Sequence, residues 1–129
     1  MKINKVVIGV GSNIEPDKNI QDAKRALARR FNILKSSSLI ETEPIGYLEQ
    51  DNFLNCAFLI ETEMDSKSLK QWLQNLEKNL GRVPKKNKYG PRTIDLDIVI
   101  WNDEVVDRDV YERDFLKNSV NEVLPELKI

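Results

Sequence analysis

The sequence has no histidine, a single cysteine and no apolar run long enough to cross a membrane. Without histidine, the protein cannot use a histidine general base, a Ser-His-Asp or Cys-His nucleophile system, or a histidine-ligated zinc ion. The lone Cys56 excludes an intramolecular disulfide and is typical of a reducing compartment. Residues 1–5 lack the apolar stretch of a signal peptide, so we expect a soluble, cytoplasmic protein.

The charge is nearly balanced overall but unevenly placed. A net charge of −1 over 129 residues gives no attraction to nucleic acid or membranes, and the length predicts one domain, residues 1–129. Between Lys78 and Ile94 there is no acidic residue, whereas Asn102 to Glu126 is rich in acids. This asymmetry predicts a focused anion site in the basic segment. Its cations are Lys78, Arg82, Lys85, Lys86, Lys88 and Arg92.

The basic segment leads into an alternating strand that carries two acids on one side. Asp95 and Asp97 point the same way along this strand, with their Cα atoms about 6.5–7 Å apart. The predicted faces are Ile94, Leu96, Ile98 and Ile100 on one side, and Asp95, Asp97, Val99 and Trp101 on the other. Two like charges raise each other's pKa unless a cation neutralises them, and a magnesium–phosphate complex supplies that charge. A solvent-facing strand edge shows the same alternation; the adjacent basic segment favours the metal site.

The order of predicted elements is strand, helix, strand, strand, helix, strand. It is typical of an α+β, ferredoxin-like βαββαβ sandwich, here with a short C-terminal extension. Both helices should cover one face of the sheet and leave the other free for a ligand, a partner or extra segments. The extension should hold a short strand and a last helical turn. The predicted bounds are strands at 5–10, 33–41, 53–62 and 94–101, helices at 16–30 and 66–80 with Ser66 as N-cap, and the last turn at 118–124.

Several other residues have alternative interpretations. Gly9 and Gly11 resemble the start of a dinucleotide fingerprint, but the third glycine is missing, so we expect them to form a turn. Asn55 lies inside an apolar strand and needs hydrogen-bond partners, from a ligand or from neighbouring backbone. Gln74 and Glu77 are neighbours on a helix, on a face that should meet solvent. The loop 42–51 is long for a hairpin and is of the kind that carries function.

These motifs together resemble the 6-hydroxymethyl-7,8-dihydropterin pyrophosphokinase family of folate biosynthesis. The resemblance extends from Val6 to Trp101, and its last and most specific motif is residues 90–97. The matching stretches are Gly11-Ser12-Asn13, Glu41-Thr42-Glu43-Pro44-Ile45-Gly46, Phe53-Leu54-Asn55, Gly81-Arg82 and Gly90-Pro91-Arg92-Thr93-Ile94-Asp95-Leu96-Asp97.

The resemblance implies transfer of pyrophosphate from ATP to a dihydropterin alcohol by a monomeric enzyme. Asp95 and Asp97 would hold two Mg²⁺ ions, and Arg82 and Arg92 would assist transfer. The implied pterin pocket comprises Thr42, Pro44, Ile45, Phe53, Asn55 and Phe115. The implied nucleotide contacts are Gln74, Glu77, Lys88, Tyr89, Arg92, Ile98 and Arg113.

The departures from the family pattern lie after Trp101. A histidine-bearing segment that is usual in the family is absent, and the remaining tail matches through Arg113 and Phe115. This shortened form leaves open a non-catalytic or weakly active homologue that binds pterin or nucleotide. An RNA-binding module is disfavoured, because the strands lack a basic and aromatic stacking face.

Overall fold

A six-stranded antiparallel sheet forms the centre of the fold, so the α+β class predicted from the sequence is confirmed. The computed structural model describes residues 2–44, 46, 48–81 and 93–129. The strands run in the order β2-β4-β1-β5-β6, and β3 also pairs with β4. Their bounds are β1 Asn4–Ser12, β2 Asn32–Ser36, β3 Ile40–Thr42, β4 Phe53–Thr62, β5 Asp95–Trp101 and β6 Glu104–Val105.

Four helices flank the sheet in the described part of the chain. They are α1 Pro16–Arg30, α2 Ser66–Asn79, α3 Asp109–Glu112 and α4 Asp114–Val123, and a 3-10 turn follows at Pro125–Leu127. The proline at its first position suits the start of α1, because that N–H has no intrahelical partner. The N-cap of α2 is Asp65 rather than the predicted Ser66. Its carboxylate accepts a hydrogen bond from the backbone N–H of Ser68 at 2.8 Å.

The first face of the sheet packs against α1 and α2. Apolar residues recur on each helix at intervals of three and four, which places them in one stripe toward the sheet. In α1 these are Ile20, Ala23 and Leu27, and in α2 they are Leu69, Leu73 and Leu76; all are buried. They meet the strand residues Val6, Ile8, Val10, Phe58, Ile60 and Leu96. The first face is therefore a continuous apolar core.

The second face, which was expected to receive a ligand, a partner or extra segments, is partly covered by the C-terminal segment. Helices α3 and α4 pack on it, and Val110, Val120 and Val123 form a second core with the strand residues Val7 and Val99. The predicted last turn, 118–124, is the second half of the longer α4. The C-terminal segment is therefore a third layer over part of the sheet.

A β-bulge in β5 corrects the predicted alternation. Ile8 pairs with Ile98 and Val7 pairs with Ile100, so Val99 is the extra residue. Beyond it the faces exchange: Ile100 joins the second core and Trp101 packs against the first. The carbonyl of Val99 accepts the backbone N–H of Val106 at 2.9 Å, which fixes the turn after the strand.

The predicted strand 33–41 is interrupted and forms β2 and β3. At the interruption, the Ser37 hydroxyl accepts the backbone N–H of Ala57 at 2.8 Å. Ser38 donates from its backbone N–H and its hydroxyl to the Glu122 carboxylate, at 2.9 and 3.0 Å. The interruption therefore ties α4 to the edge of the sheet. No helix in the described residues has the length and apolar character to cross a membrane.

Candidate active site

A cavity of about 270 Å³ lies on the second face of the sheet, beside α4. Strands β1, β4 and β5 form its floor, the end of β3 forms one wall and α4 another. Residues far apart in sequence meet here. Those predicted from the sequence that line it are Thr42, Phe53, Asn55, Asp95, Asp97, Arg113 and Phe115.

Two glycines of β1 make the floor of the cavity. Gly11 pairs with Asn55 on one side and Asp95 on the other, and Gly9 pairs with Asp97. A Cβ on Gly11 would lie 3.2 Å from Asn55 Oδ1, a close contact. The predicted turn at these glycines is wrong, because both lie inside a strand. Only the strand register shows their role, which is to leave space between the acids and the amide.

Asn55 presents an acceptor to this space. It is 8% exposed, and its Nδ2 group donates to Thr42 Oγ1 at 2.7 Å and to the Ile40 carbonyl at 3.2 Å. Both amide protons are thereby used, and the orientation of the side chain is fixed. The remaining Oδ1 can accept a hydrogen bond from a donor on a bound ligand.

Asp95 and Asp97 provide the acidic side of the cavity. Asp95 is half-buried and Asp97 is exposed, and Asp107 and Asp109 line the same cavity. In the described residues, no group of three or more His, Cys, Asp or Glu is arranged to hold a metal ion by itself. Mg²⁺ fits the pair nevertheless, since it commonly takes one or two carboxylates and completes its shell with phosphate oxygens and water.

Glu77 is not solvent-facing, contrary to the sequence-based expectation. It is 5% exposed, and its Oε2 accepts the backbone N–H of Leu96 at 2.8 Å. Glu77 thus holds β5 at the residue between the two acids. Gln74 is exposed on α2, and Ile98 packs at the margin of the first core; neither lines the cavity.

Arg113 and Phe115 reach the cavity because α3 and α4 fold onto the second face. Arg113 lies between the two helices, and its Nε is 3.5 Å from Asp109 Oδ2. The Asp107 carboxylate accepts the backbone N–H of Asp109 at 3.0 Å. Phe115 is half-buried in the first turn of α4. The C-terminal segment therefore completes the cavity with one cation and one aromatic ring.

Other predicted site residues lie away from the cavity lining or outside the described residues. Pro44 is buried in the segment after β3, next to the lining residue Glu43. The residues outside the described ranges are Arg82 and Arg92, predicted to assist transfer, Lys88 and Tyr89, predicted to contact nucleotide, and Ile45, predicted to contact pterin.

Cys56 belongs to the first core and offers no nucleophile. Burial raises the pKa of its thiol to about 12, and the nearby Lys24 charge lowers it by less. The thiol therefore stays protonated at neutral pH, and protonated thiols are poor nucleophiles.

Comparison with known families places the chain in one of them. The family model described as 7,8-dihydro-6-hydroxymethylpterin-pyrophosphokinase matches residues 7–125. The chain belongs to this pyrophosphokinase family. The matched range includes β3, β4, β5, α3 and α4 and all but the first three residues of β1, and hence every residue that lines the cavity. The resemblance found in the sequence is confirmed.

Sequence identity to individual proteins agrees with this family assignment. The chain is 32% identical to the 2-amino-4-hydroxy-6-hydroxymethyldihydropteridine pyrophosphokinase of Bacillus subtilis, over 97% of this chain and 81% of that protein. It is 29% identical to the protein of the same name from Haemophilus influenzae, over 93% of this chain and 81% of the relative. It is 30% identical to the folic acid synthesis protein FOL1 of Dictyostelium discoideum, of which it spans only 20%.

Proposed function

We propose that this protein transfers pyrophosphate from ATP to the hydroxymethyl group of 6-hydroxymethyl-7,8-dihydropterin, in folate biosynthesis. The products are AMP and the pterin diphosphate. The alcohol oxygen forms a bond to the β-phosphorus and releases its proton to solvent, and the bond from that phosphorus to the oxygen bridging to the α-phosphate breaks, so that AMP leaves with that oxygen. Family membership and the relatives named as pyrophosphokinases support this reaction.

The observation that carries the proposal is the joining of two chemistries in one cavity. Aromatic rings and an oriented amide line it from Phe53, Phe115 and Asn55, and carboxylates line it from Asp95 and Asp97. A flat heterocycle fits the first group, and a metal–phosphate complex fits the second. Transfer requires both substrates to be held side by side, and the presence of both groups in one cavity supports that arrangement.

The pterin end of the cavity is proposed to recognise the heterocycle by stacking on its flat faces and by a hydrogen bond to one of its edges. Phe53 and Phe115 would stack on the two ring faces, each contact contributing about 0.5–1.5 kcal/mol beyond area burial. Asn55 Oδ1 would accept from the amino group of the pteridine, because Nδ2 already donates to Thr42 and Ile40. Pro44 and Ile45 are proposed to complete this end.

The residues at the phosphate end of the cavity are proposed to position the phosphates and neutralise their charge, and none of them is proposed as a nucleophile. Asp95 and Asp97 would hold two Mg²⁺ ions, which when bound would neutralise phosphate charge. Arg82, Arg92 and Arg113 would stabilise the charge that develops on the phosphate oxygens during transfer. Glu77 would position β5 through its bond to Leu96. Gln74, Lys88, Tyr89 and Ile98 are proposed to lie on the nucleotide side.

The rest of the molecule is proposed to form one ferredoxin-like domain, residues 1–129, acting as a cytoplasmic monomer without nucleic-acid or membrane partners. If β2 and β3 count as one interrupted strand, the sheet order supports the ferredoxin-like arrangement. One sheet contains strands from both ends of the chain, which supports a single domain. A non-catalytic pterin-binding role is not favoured, because the relatives named above are pyrophosphokinases.

The test is a direct assay of AMP release. Protein, Mg²⁺, ATP and 6-hydroxymethyl-7,8-dihydropterin are incubated, and AMP and pterin diphosphate are separated by chromatography. We expect equal amounts of both products and none when the pterin is omitted. Pterin binding by calorimetry without AMP formation would reject the enzyme and leave the binding-protein alternative.

A further inference from the structure

One buried hydroxyl in the cavity has no hydrogen-bond partner. Ser119 is 1% exposed, and its Oγ is the one buried side-chain polar atom without a partner in the described part of the chain. A buried hydroxyl without a partner costs on the order of 1–3 kcal/mol, so such groups are rare in native structures and require an explanation.

The position of Ser119 supplies that explanation. It lines the cavity from α4, together with Phe115 and Leu116. Residues four apart on a helix lie on the same side, about 5–6 Å apart at Cβ, so Ser119 is one turn beyond Phe115. In a helix, serine can donate to the carbonyl four residues earlier, and Ser119 makes no such bond. Its hydroxyl is therefore left for a molecule in the cavity.

We propose that Ser119 contacts the bound heterocycle and helps to set its affinity and orientation. The inference rests on the proposed function and extends its pterin site. A ring stacked against Phe115 would have its edge within reach of the next helical turn, where Ser119 lies. A hydroxyl both donates and accepts, so it would pair with a ring nitrogen, carbonyl or amino group on that edge. Asn55, from the sheet, would hold a different edge group.

The test combines ligand affinity with stability in the variant Ser119→Ala. Calorimetry measures Kd for 6-hydroxymethyl-7,8-dihydropterin with Mg²⁺ and α,β-methylene-ATP present, whose bridge cannot be cleaved by the proposed transfer. We expect Kd to rise about 3- to 10-fold, the usual effect of one lost hydrogen bond. We expect Tm to stay constant or to rise, because the variant removes a buried group that lacks a partner.

The matched control is Asn118→Ala, since Asn118 is the exposed neighbour on α4 and does not line the cavity. It should leave Kd unchanged. Pterin analogues that each lack one edge group then identify the contact: the Ser119→Ala penalty should disappear with one analogue and persist with the others. A Kd for Ser119→Ala within about twofold of the parent, or a lowered Tm, would overturn the inference.

The outcomes separate this inference from the function on which it rests. If the parent protein binds the pterin but releases no AMP, and Ser119→Ala weakens pterin binding, the enzymatic function is rejected and the Ser119 contact is retained. A parent protein that releases AMP but whose Ser119→Ala variant binds equally well would reject the contact alone. A parent protein that binds no pterin would reject both.

Discussion

The sheet has two faces that are covered in different ways. On the first, α1 and α2 bury an apolar surface that includes Leu27 and Leu73. On the second, α3 and α4 bury only the part around Val7 and Val99, and the remainder is the cavity that contains Asp95 and Asp97. A closed face supplies stability, and a partly covered face supplies a site, so substitutions on the two should affect different measurements.

The largest effect is expected where the second face carries its acids. Asp97→Asn should reduce kcat on the order of 10²–10³-fold, because it removes one of two proposed metal ligands beside the transferred phosphate. Asp97 is exposed, so Tm should change little. Steady-state AMP release and thermal unfolding measure the two quantities. The control Asp103→Asn changes an exposed acid in the turn after β5 and should keep full activity. Full activity in Asp97→Asn would reject the metal assignment.

Alanine substitutions at two leucines test whether the two faces contribute differently to the free energy of unfolding. Leu73→Ala leaves a void in the first core and should cost about 2–5 kcal/mol of unfolding free energy. Leu116→Ala should cost less than about 2 kcal/mol, because Leu116 is half-buried against a cavity that already admits solvent. Leu116→Ala should instead weaken pterin binding. Urea unfolding and calorimetry measure both variants; equal unfolding costs would contradict the contrast between the faces.

The first face was largely predictable from the sequence, and the reason is its periodicity. The predicted bounds of α1, Pro16–Arg30, and of β4, Phe53–Thr62, agree with the structure. The helix has a proline at its start and a regular apolar stripe, and the strand is a nearly continuous apolar run. Local sequence is sufficient where the pattern of a single element defines its bounds.

The second face depends on pairings between distant residues, which local patterns do not contain. Val99 and Ile100 are both apolar, so alternation cannot reveal the bulge between them. The floor formed by Gly9 and Gly11 follows from their partners on β4 and β5. Burial of Glu77 follows from its hydrogen bond with the backbone N–H of Leu96. Motif resemblance could still point to residues that line the cavity, such as Asn55, Asp97 and Phe115, because it carries information about three-dimensional arrangement.

The floor of the second face gives a smaller, more local test. A Cβ on Gly9 would lie 2.9 Å from Val99 Cγ2 and 3.4 Å from Leu116 Cδ1. Val99 is β-branched and stiff at χ1, so Gly9→Ala should destabilise the fold by about 1–3 kcal/mol. The double variant with Val99→Ala should recover part of the loss, which a double-mutant cycle in urea would measure. A cycle with no coupling would show that the two side chains do not compete for this space.

The smallest effect concerns the first face, at the start of α2. The Asp65 carboxylate accepts the Ser68 backbone N–H, and this bond, assisted by the Ser68 side chain and Lys67, lowers its pKa below 3.8. A lowered pKa means that the folded state favours the charged form. The stability it contributes is therefore present above pH 3.8 and is lost as the pH falls through the lower, folded-state pKa.

Asp65→Asn keeps a capping side chain but removes this titration. Thermal unfolding of both proteins between pH 7 and acidic pH isolates the contribution of Asp65, because the other carboxylates titrate in each. As the pH falls below 3.8, we expect the Tm of the parent to decrease slightly more than the Tm of the variant. Parallel Tm curves would show that the charge at this cap contributes nothing to folding. Helix α2 would then be held on the first face by its apolar stripe and by the hydrogen bond between Glu77 and Leu96, with no contribution from the charge at its N-cap.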